Sequence, residues 1–199
     1  MMIKSMISRY LLQLIALLSM LGCTANIAAP VNDQTNSPIN ATIVKIRLPG
    51  PDGQPGPVTE SARVVKTDAA WEKQLGSATY RIIRAKGTEA PFCGNLLDNH
   101  KEGVYFCAGC DLPLFSSQAK FNSGTGWPSF FQPFAKENIV EFHDRSLGMI
   151  RMEILCARCG GHLGHVFDDG PTPSGLRYCL NSAALTFRDE AEVKNHFER

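Results

Sequence analysis

Ile139-Val140-Glu141-Phe142-His143-Asp144-Arg145-Ser146-Leu147-Gly148-Met149-Ile150-Arg151-Met152-Glu153-Ile154-Leu155 is the stretch that decides the fold. Two runs rich in β-branched and apolar residues flank Arg145-Ser146-Leu147-Gly148, which has the composition of a tight turn. A strand, a short turn and a second strand make an antiparallel pair. Similar short runs lie on either side, at Gly103 to Ala108 and at Leu176 to Phe187, punctuated by Gly, Pro, Asn and Ser. Helical signals are confined to the ends. Thr67 or Asp68 can cap a short helix carrying Trp71 and Leu75, stopped by Gly76. Ser77 can cap a second one that Gly87 ends, and Arg188 to Phe197 reads as a terminal helix. The expected body is an α+β domain, mainly antiparallel β. Its expected extent is residues 67–199.

Upstream of that body the chain changes character. Lys4 and Arg9 precede an apolar run from Tyr10 to Leu21, too short to cross a bilayer and ordered like a signal peptide. The run ends in Leu21-Gly22-Cys23, which resembles a bacterial lipoprotein site with Cys23 as the lipidated residue. A simple secretory cut near Ala28-Ala29 is the alternative. Either route predicts export, to the periplasm or to a membrane anchor facing it. Residues 24–66 read as a flexible tether and pre-domain segment, rich in Asn, Thr and Pro at first. Ala41 to Leu48 alternates as a short strand would, and Pro49 to Pro57 is heavily punctuated by Pro and Gly. The formal net charge is +1, from 20 Lys and Arg against 19 Asp and Glu. That balance argues against nucleic acid or an anionic membrane surface as partner, leaving the lipid anchor as the membrane contact.

Of the 7 cysteines, four form two Cys-x-x-Cys knuckles, Cys107-Ala108-Gly109-Cys110 and Cys156-Ala157-Arg158-Cys159. Two residues between thiolates let one turn offer both sulfurs to one ion, and two such turns complete the closed tetrahedral set that Zn2+ favours. Such a site is structural, because four thiolates leave no open position. Two disulfides, or a redox-active Cys-x-x-Cys pair, are the competing readings.

Cys179 stands apart, in Arg177-Tyr178-Cys179-Leu180-Asn181. On a strand, Arg177, Cys179 and Asn181 share a face, so a cation, a thiol and an amide point together. Arg177 favours the thiolate, and Asn181 can orient a substrate. A buried, inert Cys179 is the plain alternative. His162 and His165 precede it, and a histidine near a thiol is its usual proton partner. By themselves the two histidines could also be zinc ligands or core residues. Phe121 to Phe130 gathers small residues around Trp127, whose indole face can pack a methyl group.

Together these stretches resemble the B-type methionine sulfoxide reductases, which act on methionine (R)-S-oxide. The likeness runs from Trp71 to Phe187. It rests on Gly87-Thr88-Glu89, Val104 to Leu114, Ser123-Gly124 with Gly126 to Phe130, His162 to Phe167, and Arg177 to Asn181. The resemblance implies two antiparallel sheets with short N-terminal helices, a four-cysteine zinc site and Cys179 as catalytic thiol. It assigns Trp127 and Phe167 to the pocket for the sulfoxide methyl. His162 and His165 would hold and protonate the sulfoxide oxygen, and Asn181 and Arg177 would position the substrate and the thiolate. Many members carry a cysteine where this chain has Thr125. Others use one near Cys93, so Cys93 is expected to resolve the intermediate, the alternative being an inert Cys93 with an external thiol attacking Cys179 directly. The implied partners are oxidised protein substrates and a thioredoxin-like reductant, with a monomer as the working unit. The rival readings are a zinc-stapled binding module without turnover and a general thiol–disulfide oxidoreductase.

Overall fold

The computed structural model describes residues 42–197. The expected signal peptide, Cys23 and the tether through Ala41 lie outside the described residues. The ordered body begins further upstream than Thr67. β1 (Ile43–Pro49) and β2 (Pro55–Ala62) pair antiparallel, and the Pro- and Gly-rich run between them is the turn. Ile46 is buried, and Val44 and Leu48 pack against the same core. Asn138, fully buried, stitches the hairpin down. The Arg47 N–H donates to Asn138 Oδ1 at 2.7 Å, and Asn138 Nδ2 donates to the carbonyls of Arg47 and Pro113, each at 2.7 Å. The segment at 42–62 is therefore part of the fold, because its apolar face has a partner there.

α1 (Asp68–Ile83) starts where Thr67 accepts a hydrogen bond from the Ala70 N–H at 3.3 Å. Gly76 breaks it with φ 72° and ψ 155°, a conformation that costs glycine little. The two short helices expected from the capping signals are the two halves of α1. They bury Trp71 and Ile83.

The rest of the body is antiparallel sheet. β3 (Gly103–Cys107), β4 (Pro113–Ser116) and β11 (Leu185–Asp189) form a three-stranded sheet in the order β11-β3-β4. β5 (Lys120–Phe121), β6 (Ser129–Phe130), β7 (Ile139–Asp144), β8 (Arg151–Cys156), β9 (His162–Phe167) and β10 (Arg177–Leu180) form a six-stranded sheet in the order β5-β6-β10-β9-β8-β7. With the β1–β2 hairpin that makes three sheets among the described residues, not the two expected, because the pre-domain segment adds its own. α2 (Glu190–Phe197) is the last element among the described residues. Tyr105, Phe115 and Phe130 meet at the centre, with ring centroids 5.0 and 4.7 Å apart. Each is fully buried, a gain of roughly 1.5–3 kcal/mol for a side chain of this type.

The expected single strand from Leu176 to Phe187 is two. β10 ends at Leu180, a 3-10 turn spans Ser182–Ala184, and β11 then enters the other sheet. The chain crosses from one sheet to the other just after Cys179.

Candidate active site and metal centre

The two knuckles are the turns that follow β3 and β8. Each is closed by a backbone bond, Asp111 N–H to Cys107 O and Gly160 N–H to Cys156 O, both 2.8 Å. Gly160, with φ 67°, supplies the left-handed step of its knuckle. The four sulfurs lie within 4.8 Å of one another. Cys107 Sγ is 3.7 Å from Cys159 Sγ, and Cys110 Sγ is 3.5 Å from Cys156 Sγ. A disulfide needs roughly 2.05 Å. Bonds of about 2.3 Å to a tetrahedral zinc instead set the sulfurs roughly 3.8 Å apart. The spacing therefore fits zinc and not two disulfides. Burial and the neighbouring sulfurs push the Cys156 thiol well up, so a cation is what would let the four thiolates coexist. The surroundings favour it. Arg84 Nη1 donates to Cys159 O at 3.0 Å, and Gln74 Nε2 donates to Gly109 O at 2.8 Å. Arg63, at the end of the hairpin, lies in the field of Cys159, Cys156 and Cys110.

Cys179 sits elsewhere, on one face of the six-stranded sheet. Register pairs it with His165 on β9 and Ser129 on β6, and His165 in turn with Glu153 on β8. Residues directly opposite in an antiparallel ladder share a face, with Cβ atoms about 4.5–5.5 Å apart. The next row on that face carries Arg177 opposite Phe167. Arg177 donates to both oxygens of Asp169 at 2.8 Å, and its guanidinium lies 4.4 Å from the Phe167 ring centroid. Burial pushes the Cys179 thiol up, while the Arg177 charge and the hydroxyls of Thr125 and Ser129 pull it down without winning. Arg177 thus acts in the expected direction, yet the thiol stays above its ordinary value. Ser123 links those hydroxyls, 2.9 Å from Thr125 Oγ1 and 2.8 Å from Ser129 Oγ.

The histidines are held by carboxylates that sequence reasoning missed. His162 Nδ1 is 2.7 Å from Glu153 Oε1, and Lys86 Nζ is 2.8 Å from Glu153 Oε2. Burial alone would raise Glu153, but His162 and Lys86 outweigh it and hold the carboxyl below its ordinary value. His162 Nε2 is buried without a partner. His165 Nε2 is 2.9 Å from Asp144 Oδ2. Ser146, with His165 and Arg151, holds Asp144 far below the usual carboxylate range. An ionised carboxylate only accepts, so His165 Nε2 donates. Burial lowers the His165 pKa, with Arg151 and His162 helping and Asp144 opposing. The imidazole is therefore neutral at neutral pH. The two rings are 5.5 Å apart, and neither histidine is among the metal-binding group.

Asn181 stands just past the end of β10, still extended, with its N–H donating to Leu163 O at 2.9 Å. Its carboxamide is buried. Oδ1 accepts from the Glu89 N–H at 3.0 Å, and Nδ2 donates to Leu163 O at 3.1 Å. These two bonds tie the end of β10 to Glu89 and to β9. Trp127 is half-buried, and its indole N–H donates to Glu89 O at 3.1 Å. A cleft of about 510 Å3 opens beside it, lined by Phe92, Leu97, Lys120, Phe121 and Trp127 among others. Cys93 is exposed. Its loop rests on the same wall, with the Phe92 N–H donating to Gly126 O at 2.8 Å. Gly94 packs against Ser182 so tightly that a Cβ there would stand 2.0 Å from Ser182 Oγ.

The SelR domain family matches residues 75–189, a span that includes both knuckles, Cys93 and Cys179. The peptide methionine sulfoxide reductase MsrB of Xylella fastidiosa is 61% identical over 113 residues, covering 57% of this chain and 73% of the relative. That of Leptospira interrogans is 56% identical over 128 residues, covering 64% and 97%. That of Bradyrhizobium diazoefficiens is 54% identical over 127 residues, covering 64% and 91%.

Proposed function

The chain belongs to the SelR domain family and is a peptide methionine sulfoxide reductase acting on oxidised proteins, and from that premise we propose that it reduces the R epimer through the thiol of Cys179. The observation that carries this is the pairing of Cys179 with His165 on a sheet face that also holds Arg177 and Phe167. A metal staple has no need of such a group. Cys179 sulfur attacks the sulfoxide sulfur, and the S–O bond breaks. The oxygen passes to Cys179 as sulfenic acid, and methionine leaves. The thiol's own proton balances the step: neutral His165 accepts it and returns it to the oxygen. Trp127 and Phe167 receive the methyl group. Arg177, held by Asp169, steadies the charge that develops on sulfur.

Cys93 thiol then condenses with the Cys179 sulfenic acid to give a disulfide and water. A thioredoxin-like dithiol reduces that disulfide by exchange. The contacts of the Cys93 loop with Gly126 and Ser182 support this assignment. Cys107, Cys110, Cys156 and Cys159 would hold zinc, which would supply a fixed crosslink there and leave the chemistry to Cys179. Each chain carries both thiols and works as a monomer. The signal-like run from Tyr10 to Leu21 and the Leu21-Gly22-Cys23 stretch support a location outside the cytoplasm, in the periplasm or anchored through lipidated Cys23, where electrons for the donor must cross the membrane. No described helix is long and apolar enough to span one.

The test offers R and S methionine sulfoxide separately to the zinc-loaded protein with dithiothreitol. Loss of the R form alone, abolished by Cys179→Ser, is the expected result. Turnover that survives Cys179→Ser would remove this thiol from the reaction.

A further inference from the structure

Among the described residues, Glu89 binds the surroundings of Cys179 through both its backbone and its side chain. Its N–H donates to Asn181 Oδ1 at 3.0 Å, and its carbonyl accepts from the Trp127 indole at 3.1 Å. Its carboxylate accepts from the backbone N–H of Ser182 on one oxygen and of Ala183 at 3.1 Å on the other. Those two N–H groups open the 3-10 turn that begins three residues after Cys179, where a carboxylate accepts strong, charge-assisted bonds. Gly94 closes the contact, since a Cβ there would meet both Ser182 and Glu89 Oε1. Glu89 lies four residues before Cys93, and the loop between them has a second anchor at Gly126.

We propose that Glu89 is a positioning residue for the second half of the reaction. Its carboxylate pins the Cys93 loop to the turn beyond Cys179, so the resolving thiol meets the sulfenic acid. The inference rests on Cys93 being the resolving residue. Nothing in the oxygen transfer itself needs this carboxylate, because the Trp127 bond uses the Glu89 backbone. A thiol carried on an unpinned loop reaches its target far less often, and small misplacements cost large factors in rate.

The experiment uses the zinc-loaded protein and its Glu89→Ala and Glu89→Gln variants in a single turnover with methionine (R)-sulfoxide. The Cys93–Cys179 disulfide is followed by quenched mass spectrometry, and sulfenic acid is trapped on Cys179 with dimedone. In Glu89→Ala the disulfide is expected to form about tenfold more slowly or worse. Trapped sulfenic acid should accumulate, and thioredoxin-driven turnover should fall much more than dithiothreitol-driven turnover. A general loss of structure would lower both turnovers together. If Glu89→Ala does not fold, Glu89→Gln keeps the length and one acceptor, and its disulfide should form about threefold more slowly, a part of the same geometric loss. A disulfide that forms at the wild-type rate in the variants, or an equal loss with both reductants, overturns the role of Glu89 alone. No disulfide in the wild-type protein overturns the assignment of Cys93 and this proposal with it.

Discussion

At the scale of single residues, the chemistry of Cys179 is a contest between burial and charge. Burial raises its thiol above the ordinary value, and Arg177 is the foremost opposing influence. The unliganded protein therefore holds little thiolate at pH 7, and alkylation of Cys179 by iodoacetamide should keep rising with pH beyond the ordinary thiol value of 9.0. Arg177→Gln removes the cation and lifts the thiol further. At pH 8 its alkylation should slow severalfold, as read by mass spectrometry of the Cys179 peptide. An unchanged rate would mean that Asp169 already neutralises Arg177. His165 sets the acid side. Its pKa lies below the usual 6.5, so the imidazole is neutral and competent at pH 7. Turnover should fall only as pH drops well under 6.5 and His165 becomes charged, and a fall beginning above pH 7 would contradict the relay. The period of two in a strand made Arg177 and Cys179 legible as neighbours. For Asn181 the burial was not legible, because β10 stops at Leu180 and strand ends leave little mark on a sequence. Glu153 and Asp144 were invisible for another reason. Their meeting with His162 and His165 depends on β7–β8–β9 register, which no local pattern encodes.

Elements were legible where they alternate or are strongly apolar. β7 runs over the residues expected, and β8 is displaced by two at its start and one at its end. β9 carries the two histidines and leaves no strand signal, since Gly164 interrupts its apolar pattern. The glycine is there because β10 comes close: a Cβ on Gly164 would stand 2.0 Å from Cys179 O. The β1–β2 hairpin gave a strand signal without a visible partner, because its docking depends on Asn138, 91 residues downstream of Arg47. It lies outside the span that the SelR domain matches, yet it packs like a core element. Asn138→Ala leaves the Arg47 N–H and two carbonyls without partners in a buried place. The cost should be about 3 kcal/mol, a fall of roughly 6–12 °C in Tm for a chain this size. Calorimetry checks it, and a shift under about 2 °C would mean that water replaces the carboxamide.

Across the whole molecule, the four-cysteine cluster is a place where the two larger sheets meet, and a metal held there would bridge them. Cys107 ends β3 of the three-stranded sheet, and Cys156 ends β8 of the six-stranded one. Their knuckles bring Cys110 and Cys159 to the same point. The two knuckles lie far apart in the sequence, and which sheets the cluster joins depends on topology. The chain itself crosses between the two sheets twice, at Ser117–Ala119 from β4 to β5 and at Asn181 to Ala184 from β10 to β11, the second just after Cys179. A metal that ties β3 to β8 therefore also limits how far β11 and β10 can part, and so supports the site without touching it. Cys110→Ser should bring zinc below one ion per chain and lower Tm by about 10 °C or more, the shift that roughly 3–5 kcal/mol produces. Cys179→Ser should keep full zinc and near-normal Tm, since its thiol is outside the cluster. In Cys110→Ser held well below its melting temperature, the disulfide between Cys93 and Cys179 should still form, more slowly, because Glu89 binds the turn independently of the metal. Full zinc and unchanged Tm in Cys110→Ser would mean that the sheets are held by packing alone, and that the four sulfurs are neighbours without a common ion.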